Sequence, residues 1–248
     1  MNQETADQRL SSMQTFWTVI CRANGRTPEA VAAQEELLRR YGRAVHRYLL
    51  ASLRDADAAE ELSQEFALRF VRGDMHRADP ERGRFRDFVK GVLFHLIDHH
   101  RRRRRKALQP LNDAVEAAAA PGPSEADMQF LESWKAELLD RAWTALADHE
   151  RSTGQPFHAV LRFRVKRPEL RSAEMAEELS RRLGKPLSAV GVRQTLHRAR
   201  DRFADLLLAE VLQTLQAPTT ARLEEELMDL GLLDYCRPAL DRLRQGSA

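Results

Sequence analysis

The 248 residues are 43% hydrophobic but only 6% aromatic, which suits helices packed by Leu, Ala and Val; little of the chain alternates with period two, which argues against a sheet. No apolar run approaches the roughly 18 residues of a membrane span, no charged-then-apolar leader opens the chain, and Cys21 and Cys236 form no CxxC, so a cytoplasmic protein without a disulfide framework or zinc site is expected. The net charge of +3 hides a pattern of two basic modules around an acidic middle: residues 1–110 carry 21 Lys/Arg against 15 Asp/Glu, 111–160 carry 3 against 9, 161–217 carry 12 against 7, and 218–248 carry 4 against 6. Modules that meet phosphates, joined by a connector that does not, have this distribution.

In chain order, Thr27-Pro28-Glu29 starts a helix, with Thr as N-cap and Pro in the first position; its apolar side carries Val31, Leu37, Leu38, Tyr41, Val45 and Tyr48, and it ends near Arg54. A second helix is predicted from about Asp57 to Arg72, with Ala59, Leu62, Phe66 and Phe70 as its buried stripe. A turn-rich stretch, Ala78 to Gly83, precedes a third helix from Phe85 to about Lys106, which ends in His99-His100 and five consecutive arginines. From Ala107 to about Asp127 the pattern dissolves into Ala, Pro, Gly and Ser, the composition of a flexible acidic linker. Helices resume over about Met128–His149, Pro156–Arg164 and Ser172–Leu183, and Gly184-Lys185-Pro186 breaks the last of these. Ser188 then caps a cationic helix that is predicted to run through to Leu215; beyond Pro218, Thr220–Leu230 and Asp234–Leu243 read as a helical tail. The expected fold is all-α, with two helical domains, 1–106 and 128–217, joined by the linker 107–127 and followed by the tail 218–248. The second domain contains a helix-turn-helix.

Three segments carry candidate chemistry. On the last long helix Val192, Leu196, Ala199, Phe203 and Leu206 point to a core, leaving Arg193, Gln194, His197, Arg198 and Arg200 for DNA: Arg reads guanine bidentately, Gln reads adenine, and other Arg side chains anchor on phosphate. The third helix offers Arg84, Arg86, Lys90, His95, His99, Arg101, Arg102 and Arg103 to a nucleic-acid backbone. Its Phe85 and Phe88, with Val92 and Leu96, fit a core stripe better than a base-stacking platform. On the second helix Glu61, Gln64 and Glu65 make a face too acidic for DNA and suited to a protein partner. His95 and His99 at i, i+4 beside Asp98 have the spacing of metal ligands, but no third ligand follows and the helix end is cationic. No phosphate-binding Gly-rich loop, nucleophile elbow or HExxH is present, so neither an enzyme nor a cofactor is expected.

In this order the segments resemble the ECF branch of bacterial RNA polymerase sigma factors. Ala59-Glu-Glu-Leu-Ser-Gln-Glu-Phe66 is similar to the region 2 segment that docks on core polymerase, which implies that role for Glu61, Gln64 and Glu65. Phe85-Arg-Asp-Phe-Val-Lys and Leu96-Ile-Asp-His-His-Arg-Arg-Arg resemble the helix that melts and reads the minus-ten element. Val192-Arg-Gln-Thr-Leu-His-Arg-Ala-Arg200, with Ser188 at its start, is similar to the region 4 helix that reads the minus-thirty-five element. Asp79-Pro-Glu-Arg-Gly-Arg-Phe-Arg86 is closer to a divergent ECF-like group common in planctomycetes and related bacteria. The resemblance implies core RNA polymerase and promoter DNA as partners, leaves room for an anti-sigma factor or other regulator, and implies no membrane. The alternatives are a stand-alone helix-turn-helix regulator and a sigma-like polymerase adaptor.

Overall fold

A computed structural model describes residues 2–13, 27–72, 84–108 and 123–245, together with Thr15 and Thr18. Cys21, the turn-rich stretch up to Gly83 and the middle of the predicted linker, 109–122, lie outside the described residues. Every regular element among the described residues is helical: α1 (Asn2–Ser12), α2 (Pro28–Leu53), α3 (Ala56–Val71), α4 (Phe85–Leu108), α5 (Pro123–Thr153), α6 (Phe157–Lys166), α7 (Ser172–Leu183), α8 (Ala189–Leu212), α9 (Thr220–Asp229) and α10 (Leu233–Gln245). The chain forms two compact units, Asp7–Glu137 with Leu212–Leu223, and Met1–Ala6 with Leu138–Val211 and Glu224–Ala248.

In the first unit the sequence signals act locally. Thr27 Oγ1 accepts from the Ala30 N–H at 3.3 Å at the start of α2, and Asp55 Oδ1 accepts from the Ala58 N–H at 3.1 Å at the start of α3. Between them Arg54, at φ 53°, makes the left-handed turn. The apolar stripes of α2, α3, α4 and the first half of α5 meet in an aromatic core. Tyr41 and Trp134 stack with ring centroids 4.6 Å apart, and Phe85 lies 5.7 Å from Tyr41, 5.6 Å from Trp134 and 5.9 Å from Phe70. Pairs of this kind are worth about 0.5–1.5 kcal/mol each beyond burial. Arg47 ties α2 to α5 through Glu137, at 3.0 Å, and the Ser133 carbonyl, at 3.1 Å. Asp7 of α1 accepts from the backbone N–H and the hydroxyl of Thr220, at 2.7 and 2.8 Å, which places a carboxylate at the N-terminus of α9.

In the second unit the half-buried Trp143 has its ring 4.7 Å from that of Phe203, with His158 edge-on at 5.9 Å and the Arg162 guanidinium over it at 4.9 Å. Arg141 and Glu210, both largely buried, pair at 2.8 Å and join α5 to α8. Glu150 Oε2 accepts from the Ala159 N–H at 2.8 Å in the first turn of α6.

Several element details differ from expectation. α5 begins at Pro123, five residues ahead of the predicted start, with Pro in a first-turn position that lacks no needed donor. The buried stripe of α4 is Phe85, Val89, Leu93, Leu96 and Ile97, while Phe88 and Val92 are half-buried. α8 buries Leu207 in place of Leu206 and stops at Leu212. There the chain turns, the Leu215 N–H closing on the Leu212 carbonyl at 3.1 Å, while the next carbonyls serve other partners: that of Thr214 accepts from the Phe85 N–H at 3.3 Å and that of Leu215 from the Thr15 hydroxyl at 2.6 Å.

Candidate nucleic-acid interface

The cationic end of α4 is a surface. Arg102 to Lys106 are exposed, as are His95 and His99, and Arg84, Lys90 and Arg101 are half-buried. The end of α4 is held against the α2–α3 corner by its own cations. Arg101 donates to the Ser52 carbonyl at 3.2 Å, Arg103 reaches Glu61 at 2.7 Å, and Arg104 reaches Asp55 at 3.4 Å. Arg102 pairs with Asp98 one turn back at 2.8 Å, and Lys90 with Asp127 at 3.2 Å. The hydrogen bond from Arg103 holds the Glu61 carboxyl below the usual carboxylate range. The Arg102, Arg103 and Arg104 pairs are solvent-exposed, so each is weak.

Arg86 differs. It is 5% exposed, within the unit rather than on its surface, and has no face to offer a nucleic-acid backbone. Its position one residue after Phe85, at the start of a cationic helix, did not distinguish a supporting arginine from a contacting one. Phe85 is likewise core.

On α3 Glu61 and Gln64 are exposed and Glu65 is half-buried. Gln64 donates to Glu60 at 3.0 Å, Arg69 pairs with Glu65, and His46 of α2 lies 3.2 Å from Ser63. The acidic face is thus continuous but partly committed to neighbouring cations.

In the second unit α7, a five-residue connection and α8 follow one another. The Glu174 carboxylate accepts from the Arg171 N–H at 2.6 Å at the start of α7. Gly184 ends α7 at φ 63°, a left-handed conformation that costs a side-chain-bearing residue about 1–2 kcal/mol. The connection is pinned by Ser180, whose hydroxyl donates to the Ala176 carbonyl at 2.6 Å and accepts from the Leu187 N–H at 2.8 Å. Ser188 Oγ then accepts from the Gly191 N–H at 3.0 Å, so this serine caps α8. Val192, Leu196, Ala199 and Phe203 are buried, and Arg193, Gln194, His197, Arg198 and Arg200 are exposed along the other side of the helix. Arg193, His197 and Arg200 also line an open hollow of about 800 Å³, whose opposite wall is Asp234, Tyr235 and Pro238 of α10. Burial pushes the Tyr235 hydroxyl up to about 12, so the phenol stays protonated in the hollow.

Residues 37–106, which span most of α2 and all of α3 up to the arginine run of α4, match a family model. The model is sigma-70 region 2. The match supports a sigma-factor-like role in RNA polymerase binding and transcription initiation, and covers less than a third of the chain. The matched stretch includes Glu61, Gln64 and Glu65 and the cations from Arg84 to Lys106. No curated protein and no solved structure matches the chain.

Among the described residues no three His, Cys, Asp or Glu side chains are grouped to hold a metal ion, and no helix is long and apolar enough to cross a membrane. Sequence reasoning missed Asp201 and Arg242. His197 Nδ1 lies 2.8 Å from Asp201 Oδ2, and Arg242 of α10 reaches Asp205 at 2.5 Å and Asp201 at 3.8 Å. The i, i+4 spacing of His197 and Asp201 was the available signal; nothing in the sequence announced Arg242, 41 residues further on.

Proposed function

We propose that the chain is a sigma factor of the divergent ECF type, which binds core RNA polymerase in the cytoplasm and directs promoter recognition. The observation that carries this reading is the match of residues 37–106 to sigma-70 region 2, in which the acidic face of α3 and the exposed cations of α4 occur together. Glu61, Gln64 and Glu65 would dock on the polymerase. Arg84, Lys90, His95, His99 and Arg101 to Arg103 would hold the minus-ten DNA, without buried Arg86. In the second unit α7 and α8 would act as a helix-turn-helix, with Ser188, Arg193, Gln194, His197, Arg198 and Arg200 on the minus-thirty-five element.

The physical logic is tethering. Each patch alone makes a handful of screened phosphate contacts, so free DNA is bound weakly and in a salt-sensitive way. Placing both on one polymerase makes the second contact intramolecular and demands two correctly spaced elements.

Run-off transcription with purified core polymerase, with and without the chain, on promoters from its own genome tests the proposal. Transcripts that start at defined sites only when the chain is added support it. Association with core polymerase without any transcripts points instead to an adaptor. DNA binding to palindromic sites without polymerase association overturns it in favour of a stand-alone regulator.

A further inference from the structure

The hollow beside α8 is lined by Arg164, Arg193 and Arg200 against two carboxylates, Asp201 and Asp234, and has a volume of about 800 Å³. Each carboxylate has a cation of its own nearby: Arg242 lies 3.8 Å from Asp201 and Arg237 lies 3.7 Å from Asp234. The arginines are less engaged. Arg164 donates to the Pro168 and Leu170 carbonyls at 3.2 and 2.6 Å, which hold its guanidinium without neutralising it. Among the described residues Arg193 and Arg200 form no ion pair with a carboxylate and no hydrogen bond, whereas Arg141, Arg151, Arg181, Arg182 and Arg244 of the same unit all pair with acids. Across the hollow from Arg200 stands Tyr235 of α10. Its ring meets Phe203 edge-on at 5.8 Å, Cys236, Ala239 and Leu240 of the same helix are buried, and Arg242 reaches Asp205 at 2.5 Å, so this wall is firmly packed. The Tyr235 hydroxyl forms no hydrogen bond among the described residues.

We propose that Arg200 and Tyr235 hold one phosphate of the DNA backbone in this hollow, which makes the C-terminal helix a third DNA-contacting element beside α7 and α8. This deepens the reading of α8 as the minus-thirty-five helix and rests on it. A guanidinium and a phenol hydroxyl on opposite walls, neither given to a protein acceptor, are donors that a tetrahedral oxyanion accepts from together. The ligand is a backbone phosphate rather than a free one because the hollow is open. Sites for free small molecules enclose most of their ligand, whereas a phosphate carried by a duplex is held in place by the other contacts of α8. Arg193, two turns nearer the start of that helix, keeps its role on a base edge. A phosphate contact adds affinity on every sequence and carries no base preference of its own.

Tyr235→Phe isolates the hydroxyl, because the ring keeps its place on Phe203. In the full chain assembled with core polymerase on promoter fragments, this change is expected to weaken binding by about two- to tenfold, the range of one hydrogen bond. The loss should be the same on every minus-thirty-five variant and leave the salt slope unchanged, since a neutral hydroxyl displaces no counterion. Arg200→Ala is expected to weaken binding likewise and to lower the slope by about one. Single phosphates flanking the element are then replaced in turn by neutral methylphosphonates. One position is expected to weaken wild type and to cost Tyr235→Phe and Arg200→Ala little more. Asp234→Asn, which takes a carboxylate out of the same hollow, is expected to raise affinity about twofold, a gain that damage to the fold cannot mimic. Wild-type affinity in Tyr235→Phe, or methylphosphonate losses that simply add to those of the variants at every position, overturns the proposal and leaves the sigma-factor reading standing. A wild type that responds to no phosphate and no base of the element removes the proposal together with the reading of α8. Calorimetric titration of the full chain with a deoxynucleoside monophosphate checks the other source of the same chemistry. No saturable binding is expected; saturation that Tyr235→Phe abolishes would assign the hollow to a free nucleotide and overturn the backbone contact.

Discussion

Replacing Phe85 with Ala separates the two roles open to an aromatic residue at the head of a DNA-facing helix. The ring is 2% exposed and its neighbours are Tyr41, Phe70 and Trp134. Removing on the order of 150 Å² of buried apolar surface at about 25 cal/mol per Å² costs roughly 4 kcal/mol. Truncations of buried phenylalanine cost about 3–5 kcal/mol once the cavity is included, so the two routes agree. Against a total stability of about 5–15 kcal/mol this is a large fraction, and at about 2–4 °C per kcal/mol the midpoint should fall on the order of 10 °C. Phe85→Leu keeps an apolar side chain but loses three ring pairs worth about 0.5–1.5 kcal/mol each, so it should cost more than about 1.5 kcal/mol yet less than Phe85→Ala. Far-UV circular dichroism melts measure both. The core assignment also expects Phe85→Leu to keep promoter opening in a permanganate footprint, because no stacking ring is removed from the surface. A Phe85→Ala protein that melts within a degree or two of wild type, yet no longer opens DNA, would refute the reasoning and return the ring to the interface.

Removing the exposed cations Arg102 and Arg105 together should weaken DNA binding across all sequences and lower the salt slope by roughly 2, one for each phosphate that is no longer neutralised; titrations at several salt concentrations check this. Arg193→Ala should instead weaken a single base preference by about 1–3 kcal/mol, seen in competition between promoter variants, and an indistinguishable effect of the two changes would erase the distinction between reading and anchoring. Gly184→Ala should destabilise the second unit by about 1–2 kcal/mol, since its φ of 63° suits a residue without Cβ, and a melt reads the cost. Glu36, held by hydrogen bonds from Arg39 and with Arg40 beside it, titrates at about 2 in place of its usual 4.5. A depressed acid stabilises the fold above its unfolded value and loses that contribution as pH falls from about 4.5 towards 2, so Glu36→Gln should flatten the acid limb of stability against pH in that window.

The helices were legible because their determinants are local. Thr27-Pro28 and Ser188 satisfy N–H groups within three residues of themselves, Gly184 ends α7 by its own backbone freedom, and the apolar spacing of α3 marks Ala59, Leu62, Phe66 and Phe70 as one buried face whatever that face meets. The exposed side of α8 was legible for the same reason: once Val192, Leu196 and Ala199 face inward, Arg193, Gln194, His197 and Arg198 face out.

Periodicity sorts a helix into apolar and polar faces, but it does not say which polar residues the next helix covers. Only the packing of α4 on its neighbours decided that Arg86 is interior while Arg102 to Lys106 stay in water, and that the burial stripe runs through Val89 and Leu93 instead of Phe88 and Val92. Only tertiary structure brought Arg103 to Glu61 and Arg242 to Asp201 and Asp205, across separations of about 40 residues. Such pairs depend on where two helices dock, a property of summed side-chain shapes over a whole unit. The sequence by itself determined the starts and stops that a cap or a glycine marks, as at Thr27, Ser188 and Gly184, because those choices are settled within a few residues; the exact buried stripe of a helix and the partners of its charged groups had to wait for the fold.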